Sequence, residues 1–216
     1  MSSSIALPST LAAGGSAALR PESTDAVTTD ETLMLQYAAG GITAFDQLYA
    51  RHELGVWRYL LRNVRNQAVA DDLLQDVWFA VARQGGGLTG SAAPYQPTAR
   101  FKTWLFTIAH HRLVDHVRAT RNLARLDDDD GALMDTLAAD SGFGPLRQLQ
   151  SNEQAAALLV AIEQLPGPQR QAFLLQAEGG LSVEEIAAAT DVNFETAKSR
   201  LRYARHVLRR LLQEFA

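Results

Sequence analysis

The chain has 216 residues, with 20 Lys and Arg, 24 Asp and Glu, and a formal net charge of -4 at pH 7. A hydrophobic content of 47% is ordinary for a globular protein and sufficient for a packed core. The absence of cysteine excludes disulfide bonds and thiolate metal sites, and it fits the reducing cytoplasm. No apolar run approaches the roughly 20 residues that span a bilayer, so we expect a cytoplasmic protein without membrane insertion.

The N-terminal segment 1–28 is rich in Ser, Thr, Ala, Gly and Pro, a composition that predicts a disordered leader. It lacks the basic start and the apolar core of a signal peptide. Thr28 lies three residues before Glu31, which is the spacing of a capping box. The first helix is expected to end at Gly40 and Gly41.

The segment 29–120 is predicted to be a small helical domain. In a long second helix, one face is formed by Phe45, Leu48, Tyr49, His52, Val56, Leu60 and Val64. A third helix over about 68–84 directs inward Leu73, Leu74, Val77, Trp78 and Val81. Residues 84–100 are predicted to be a loop because of their Gly, Pro and Ser content. A fourth helix from Phe101 to about Thr120 directs inward Trp104, Leu105, Ile108, Leu113 and Val117.

The segment 121–152 combines an acidic run, Gly and Pro with weak periodicity, which predicts a flexible acidic linker. Helices resume in 153–216, where Pro168 can occupy the first turn of one of them. We find no convincing strand alternation in the chain. The predicted fold is therefore all-α, with two small helical domains joined by the linker.

The stretch "LSVEEIAAATDVNFETAKSRLRYARHVLRR" has the layout of a helix-turn-helix. Ser182 and Glu185 have capping-box spacing at the start of its first helix. Asp191 lies where the turn needs a left-handed backbone, and Asn193 can cap the second helix.

Basic residues dominate the second helix of this motif. The stretch 198–210 holds six Lys or Arg and no acid. A favourable interaction with the helix macrodipole suits Arg209 and Arg210 near the C-terminus, but it does not suit Lys198 near the positive end. The pattern therefore favours DNA contacts, with the helix in the major groove.

Three stretches together resemble one family. They are "ADDLLQDVWFAV", "FKTWLFTIAHHRLVDHVRA" and "LSVEEIAAATDVNFETAKSRLRYAR", and in this order they resemble the extracytoplasmic-function (group IV) sigma factors of bacterial RNA polymerase. The resemblance implies a sigma2-like helical bundle in 29–120 and a sigma4-like helix-turn-helix domain in 153–216. It also implies an alternative sigma factor that binds core polymerase, reads the minus-10 and minus-35 promoter elements and assists promoter melting.

The resemblance assigns a role to each stretch. The clamp coiled coil of core polymerase would dock on a face that combines acids with an amide and an aromatic ring, formed by Asp72, Gln75, Asp76 and Phe79. Interleaved aromatic and polar groups suit unstacked bases, and the minus-10 candidates are Phe101, Lys102, His110, His111, Arg112, Asp115 and Arg118. The minus-35 candidates are Thr196, Lys198, Ser199, Arg200, Arg202, Tyr203 and Arg205. Family members usually carry Asn where this chain has His111.

The resemblance further implies contacts with the polymerase flap and with promoter DNA, an anti-sigma partner, and a monomer when free. We expect no cofactor or metal, and no catalytic residues. Two alternatives remain open. His111 and Asp115, four residues apart, could hold a metal with a third ligand. A stand-alone helix-turn-helix regulator would bind duplex DNA without core polymerase and would not need the face that contains Gln75.

Overall fold

A computed structural model describes residues 28–84, 99–127 and 149–213 of the chain. In these ranges it has helices and no strand, which confirms the predicted all-α class. The helices are α1 Asp30–Ala38, α2 Ile42–Val64, α3 Gln67–Gln84, α4 Phe101–Asp127, α5 Leu149–Glu163, α6 Gly167–Ala177, α7 Val183–Ala189 and α8 Phe194–Leu212. The predicted leader, most of the loop over 84–100 and most of the linker lie outside the described residues.

The N-terminal half is a bundle of α1 to α4. Its core is formed by the apolar faces that helical periodicity predicts, and Leu48, Val56 and Leu60 of α2 are fully buried. The first helix is capped by Thr29 and not by Thr28, because the Thr29 hydroxyl accepts a hydrogen bond from the Thr32 N–H. The predicted capping box of Thr28 and Glu31 is therefore wrong: the residue three positions after the cap is Thr32, and the Glu31 carboxylate accepts from the Phe101 N–H instead.

Two boundaries of the predicted linker differ from the structure. Helix α4 continues to Asp127, so residues 121–127 are helical and not part of a linker. Helix α5 begins at Leu149, a few residues before the predicted start at 153. The strong helix formers Leu, Arg and Ala in "RNLARLD" carry α4 past Thr120 without an apolar period that would mark the extension.

The C-terminal half contains the predicted helix-turn-helix in α7 and α8. Ser182 and Glu185 form a capping box at the start of α7, as the spacing predicts. Asp191 in the turn has φ of 52°, the left-handed conformation that Asp tolerates better than most residues. The Asn193 side chain accepts a hydrogen bond from the Thr196 N–H and caps α8.

The two halves pack against each other. One contiguous core includes Phe106 of α4 and Leu181, which directly precedes α7. Gly179 lies at this junction, and a Cβ there would come within 3.0 Å of the Phe106 ring. The closeness of α4 to the C-terminal half thus depends on a residue without a side chain.

None of the described helices is both long enough and apolar enough to cross a membrane.

Candidate polymerase and nucleic-acid interfaces

The outer face of α3 carries the four residues predicted to bind core polymerase. Asp72, Gln75 and Asp76 are exposed, and the apolar side chain of Phe79 is 53% exposed. The opposite face of α3 is buried, as Val77 shows by its complete burial. An aromatic ring left in water beside two carboxylates is a feature of binding surfaces, since burial of that ring on a partner is favourable.

A groove of about 1040 Å³ adjoins this α3 face, and sequence reasoning did not find it. Gln75 and Phe79 form one side, while α1 and α2 contribute the other. Ile42 and Leu54 line the groove and are 73% and 53% exposed. The sequence pattern that could have revealed the groove is the set of apolar residues of α2, among them Ile42 and Leu54, that lie outside its buried face.

Tryptophan and aspartate join α2 to α3 at the edge of this groove. The Trp57 indole N–H donates a hydrogen bond of 2.7 Å to the Asp71 carboxylate. This contact holds the rim in place, because a charge-assisted hydrogen bond is stronger than a neutral one.

Two predicted minus-10 residues, Phe101 and His110, are buried in this structure. Phe101 is 0% exposed, packs on His52, and donates its backbone N–H to the Glu31 carboxylate at 2.8 Å. His110 is 5% exposed, and its Nδ1 is hydrogen-bonded to the Tyr59 hydroxyl at 2.9 Å. In this arrangement both side chains are packed inside the protein, and their contact with the minus-10 element stays a prediction.

His110 is neutral at pH 7. Burial is the main cause that lowers its pKa, to about 4, and the nearby His111 and Arg200 lower it further. The partner hydroxyl of Tyr59 is also held in its protonated form, because burial raises its pKa. The pair is therefore an uncharged hydrogen bond inside the core.

The other predicted minus-10 residues reach solvent. His111, Asp115 and Arg118 are exposed and lie on one face of α4, at intervals of four and three residues. Lys102 and Arg112 are partly buried. Among the described residues, no group of three His, Cys, Asp or Glu side chains could hold a metal ion, so His111 and Asp115 have no third ligand there.

Helix α8 separates its apolar and basic residues cleanly. Its buried face consists of Ala197, Leu201, Ala204, Val207 and Leu208. Its exposed residues include Lys198, Ser199, Arg202, Tyr203 and Arg205, while Thr196 and Arg200 are partly buried. All seven predicted minus-35 residues therefore lie on or beside the solvent-facing side of one helix.

A concave surface of about 520 Å³ lies between the start of α8 and α6. Thr196, Ser199, Arg200 and Tyr203 line it from α8, and Gln169 lines it from α6. Gln169 was missed by sequence reasoning, because a single Gln after a Pro gives no periodic signal. The Glu195 carboxylate also lines the hollow; the hydroxyl, amide and guanidinium groups beside it are suited to phosphates and base edges.

Glu185 of α7 joins the helix-turn-helix to α4. Its carboxylate accepts hydrogen bonds from Arg100 Nη2 at 2.5 Å, Arg100 Nε at 3.2 Å, the Thr103 hydroxyl at 2.7 Å and the Ser182 N–H at 2.7 Å. Burial raises the pKa of the Glu185 carboxyl, but hydrogen bonds from Arg100, Ser182 and Thr103 outweigh burial and lower the pKa to about 2. The carboxylate is therefore charged throughout the physiological pH range.

A second carboxylate of the C-terminal half faces arginines of α2. Glu178 lies 3.6 Å from Arg62 Nε and 4.0 Å from Arg58 Nη1. The Arg65 guanidinium, at the end of α2, donates to the Glu163 carbonyl at the end of α5. No local sequence pattern predicts these contacts, since they join elements that are far apart along the chain.

Comparison with known proteins assigns both halves to the same class. The model of sigma-70 region 2 matches residues 48–123, and the model of sigma-70 region 4 matches residues 155–206. The first match contains α3 and most of α4, and the second contains α7 and most of α8. The chain thus combines the two regions of a sigma-70 type transcription initiation factor.

Curated relatives define the group within that class. The chain is 35% identical to the RNA polymerase sigma factor CarQ of Myxococcus xanthus over 84% of this chain and 96% of CarQ. It is 32% identical to the ECF RNA polymerase sigma factor BldN of Streptomyces coelicolor, over 82% of this chain and 64% of BldN. The chain belongs to the sigma-70 family of RNA polymerase sigma factors, in the extracytoplasmic-function (ECF) group.

Solved structures share the fold. The sigma factor RpoE from Bartonella quintana, in complex with the anti-sigma factor NepR, matches with a TM-score of 0.57 and 25% identity over 78% of this chain and 96% of RpoE. CnrH, in complex with the cytosolic domain of CnrY, matches with a TM-score of 0.56 and 22% identity over 87% of this chain and 99% of CnrH.

Proposed function

We propose that this sigma factor binds core RNA polymerase through the exposed face of α3 and directs initiation at promoters that α4 and α8 recognise. The observation that supports this division most strongly is the presence of two exposed surfaces of opposite character on one chain. The α3 face carries Asp72 and Asp76 beside the exposed ring of Phe79. The α8 face carries Lys198 and Arg202, both exposed.

The α3 face is suited to a protein partner. Its two carboxylates can pair with basic side chains, while Gln75 can donate and accept hydrogen bonds. Phe79 and the adjoining groove supply the apolar area that a stable interface buries. We assign this surface to the clamp coiled coil of core polymerase, and the polymerase flap to the C-terminal half.

Helix α8 is suited to duplex DNA. Cationic side chains neutralise phosphates, and Lys or Arg can also reach guanine O6 and N7 in the major groove. We assign minus-35 recognition to this helix, with Lys198 and Arg202 as the central residues. Gln169 at the edge of the hollow beside α8 is a further contact to the same element.

The exposed side of α4 is assigned to the minus-10 element. His111, Asp115 and Arg118 form its accessible row. The His111 ring can stack on an unstacked base, the Arg118 guanidinium can contact a phosphate, and the Asp115 carboxylate can accept a hydrogen bond from a base. Phe101 and His110 are buried in this structure and support the helix from the inside.

The protein acts in the cytoplasm, where promoter DNA and polymerase are found, and the polymerase core supplies the catalysis. Because the related RpoE of Bartonella quintana was solved with the anti-sigma factor NepR, we propose that this chain is also controlled by an anti-sigma factor. Its exposed α3 face and groove offer an apolar surface for such a partner.

The test is transcription with purified core polymerase on genomic DNA fragments, with start sites mapped by sequencing. Core plus wild-type protein should start at a defined set of sites that core alone does not use. The Lys198→Ala, Arg202→Ala double variant should lose these starts while still co-eluting with core, because α8 lies apart from the α3 face. Unchanged start sites in this variant would contradict the assignment of α8.

A further inference from the structure

The start of α4 directs three polar side chains at the C-terminal half. The Arg100 guanidinium holds the Glu185 carboxylate through two nitrogens, and the Thr103 hydroxyl donates to the same carboxylate. Lys102 Nζ lies beside Gly180, 3.8 Å from the position that a side-chain carbon would take there. One guanidinium and one hydroxyl thus hold the Glu185 carboxylate, and the Lys102 ammonium lies beside Gly180.

These contacts exceed what α7 needs for its own stability. The capping box of α7 requires only that Glu185 accept from the Ser182 N–H, which it does at 2.7 Å. Arg100 and Thr103 add three further hydrogen bonds from outside the helix-turn-helix. They form a separate anion site on α4, and Glu185 is its present occupant.

The chemistry of the site also fits a phosphate. A guanidinium binds carboxylates and phosphates through the same two-pronged geometry, and a Thr hydroxyl at the start of a helix is a common phosphate donor. Arg100 and Thr103 flank Lys102, which is assigned to the DNA interface of α4. A backbone phosphate of the promoter can therefore use the donors that now hold Glu185.

The contact with Glu185 is incompatible with simultaneous reading of both promoter elements. The two elements lie about 25 base pairs apart, or about 85 Å at 3.4 Å per base pair. Helix α8 begins at Phe194, so with Glu185 on Arg100 its start lies within about 30 Å of α4, because a chain spans at most about 3.5 Å per residue. The contact has to break when α4 and α8 are both on the promoter.

We propose, on the basis of the proposed function, that Arg100 and Thr103 form a binding site for a DNA backbone phosphate, which Glu185 occupies in the free protein. When a phosphate replaces the Glu185 carboxylate on Arg100 and Thr103, α7 is released from α4 in the same step. The helix-turn-helix competes with nucleic acid for α4, and free protein binds single-stranded DNA more weakly than its exposed charges alone would allow.

The two partners of this contact should affect DNA binding in opposite directions. Glu185→Gln keeps an acceptor for the capping box but removes the competing charge. The affinity for DNA should therefore rise about two- to fivefold, which corresponds to the strength of a partly exposed ion pair. Arg100→Gln removes a phosphate ligand, so affinity should fall and the dependence of log K on log salt should become shallower by about 0.7. Glu184→Gln, an equal charge change at an exposed neighbour, controls for net charge.

The first measurement is fluorescence anisotropy of a labelled thymidine oligonucleotide at several salt concentrations. Its length is about 12 nucleotides, which lies within the usual range of single-strand sites.

A second measurement reports separation of the halves. The chain has no cysteine, so Ala68→Cys and Ala188→Cys can carry a dye pair for energy transfer. Wild-type protein should lose energy transfer as oligonucleotide binds. A shift of affinity in the same direction for Glu185→Gln and Arg100→Gln, or binding without loss of transfer, would overturn the proposal. Co-elution with core polymerase is scored separately, so failure there would count against the proposed function and not against this site.

Discussion

The substitution Gly179→Ala tests the close packing around Gly179, which follows α6 and faces Phe106 of α4. A Cβ at this position would lie 2.6 Å from the Leu175 carbonyl oxygen, 2.6 Å from Leu181 Cδ1 and 3.0 Å from Phe106 Cγ. The Leu175 contact is with backbone, so it cannot be relieved by a side-chain rotation. Insertion of a carbon into such a packed site costs about 1–3 kcal/mol, and we expect that loss in the free energy of unfolding.

Gly167→Ala is the matched control. A Cβ at Gly167 meets nothing within 4 Å, and this residue is the first of α6. The same change should therefore be neutral or stabilise the protein by about 0.4–1 kcal/mol, through a smaller entropy of the unfolded chain.

Urea unfolding followed by far-UV circular dichroism measures both variants. The urea midpoint should fall for Gly179→Ala and stay or rise for Gly167→Ala. In a thermal melt of the same variants, each kcal/mol of stability should shift the melting temperature by about 2–4 °C. If Gly179→Ala unfolds at the wild-type midpoint, then Gly179 is not packed as closely against Leu175, Leu181 and Phe106 as the structure shows.

Three further predictions concern single side chains. Tyr59→Phe should lower the free energy of unfolding by about 1–3 kcal/mol, measured by the same urea titration, because it leaves the buried His110 nitrogen without its partner. His111→Asn should change the preferred minus-10 sequence in a promoter library without a change in stability, because His111 is exposed; a loss of folded protein would contradict this. The stabilisation by Glu185 should be pH-dependent, since its pKa is lowered from 4.5 to about 2 in the folded protein. Wild type should be more stable than Glu185→Gln above about pH 4.5, and the difference should disappear as the pH falls towards 2, as measured by unfolding at each pH.

Local features of the fold were predictable because they depend on near neighbours in the sequence. The spacing of Ser182 and Glu185, and the demand for a left-handed residue at Asp191, involve only a few residues each. The apolar face of α2 repeats at helical intervals, so its buried residues were also predictable. The exposed basic row of α8 followed from the same argument.

The burial of Phe101 and His110 was predictable only in part. Phe101 lies four residues before the buried Leu105, so helical spacing alone assigns it to the core. His110 lies four residues after Phe106, on a second buried side of α4 that faces Tyr59 and the C-terminal half. Periodicity identifies a face, but it does not reveal that a helix is covered on two sides.

Contacts between the halves were beyond sequence reasoning. Arg100 and Glu185 are 85 positions apart, and each has an ordinary local explanation, as a loop cation and as a capping residue. Their pairing depends on the relative placement of α4 and α7, which no local pattern encodes. The groove beside α3 escaped notice for the same reason, because it is formed by three helices together.

The most direct test of the central claim is binding of the purified chain to core RNA polymerase by size exclusion, with two matched double variants. Gln75→Ala, Asp76→Arg changes the α3 face, and Asp46→Arg, Gln47→Ala makes the same chemical change at exposed positions of α2. Wild type and the α2 variant should co-elute with core, and the α3 variant should not. Failure of the wild type to bind core, together with binding of duplex DNA by the chain alone, would contradict the account and favour a stand-alone regulator.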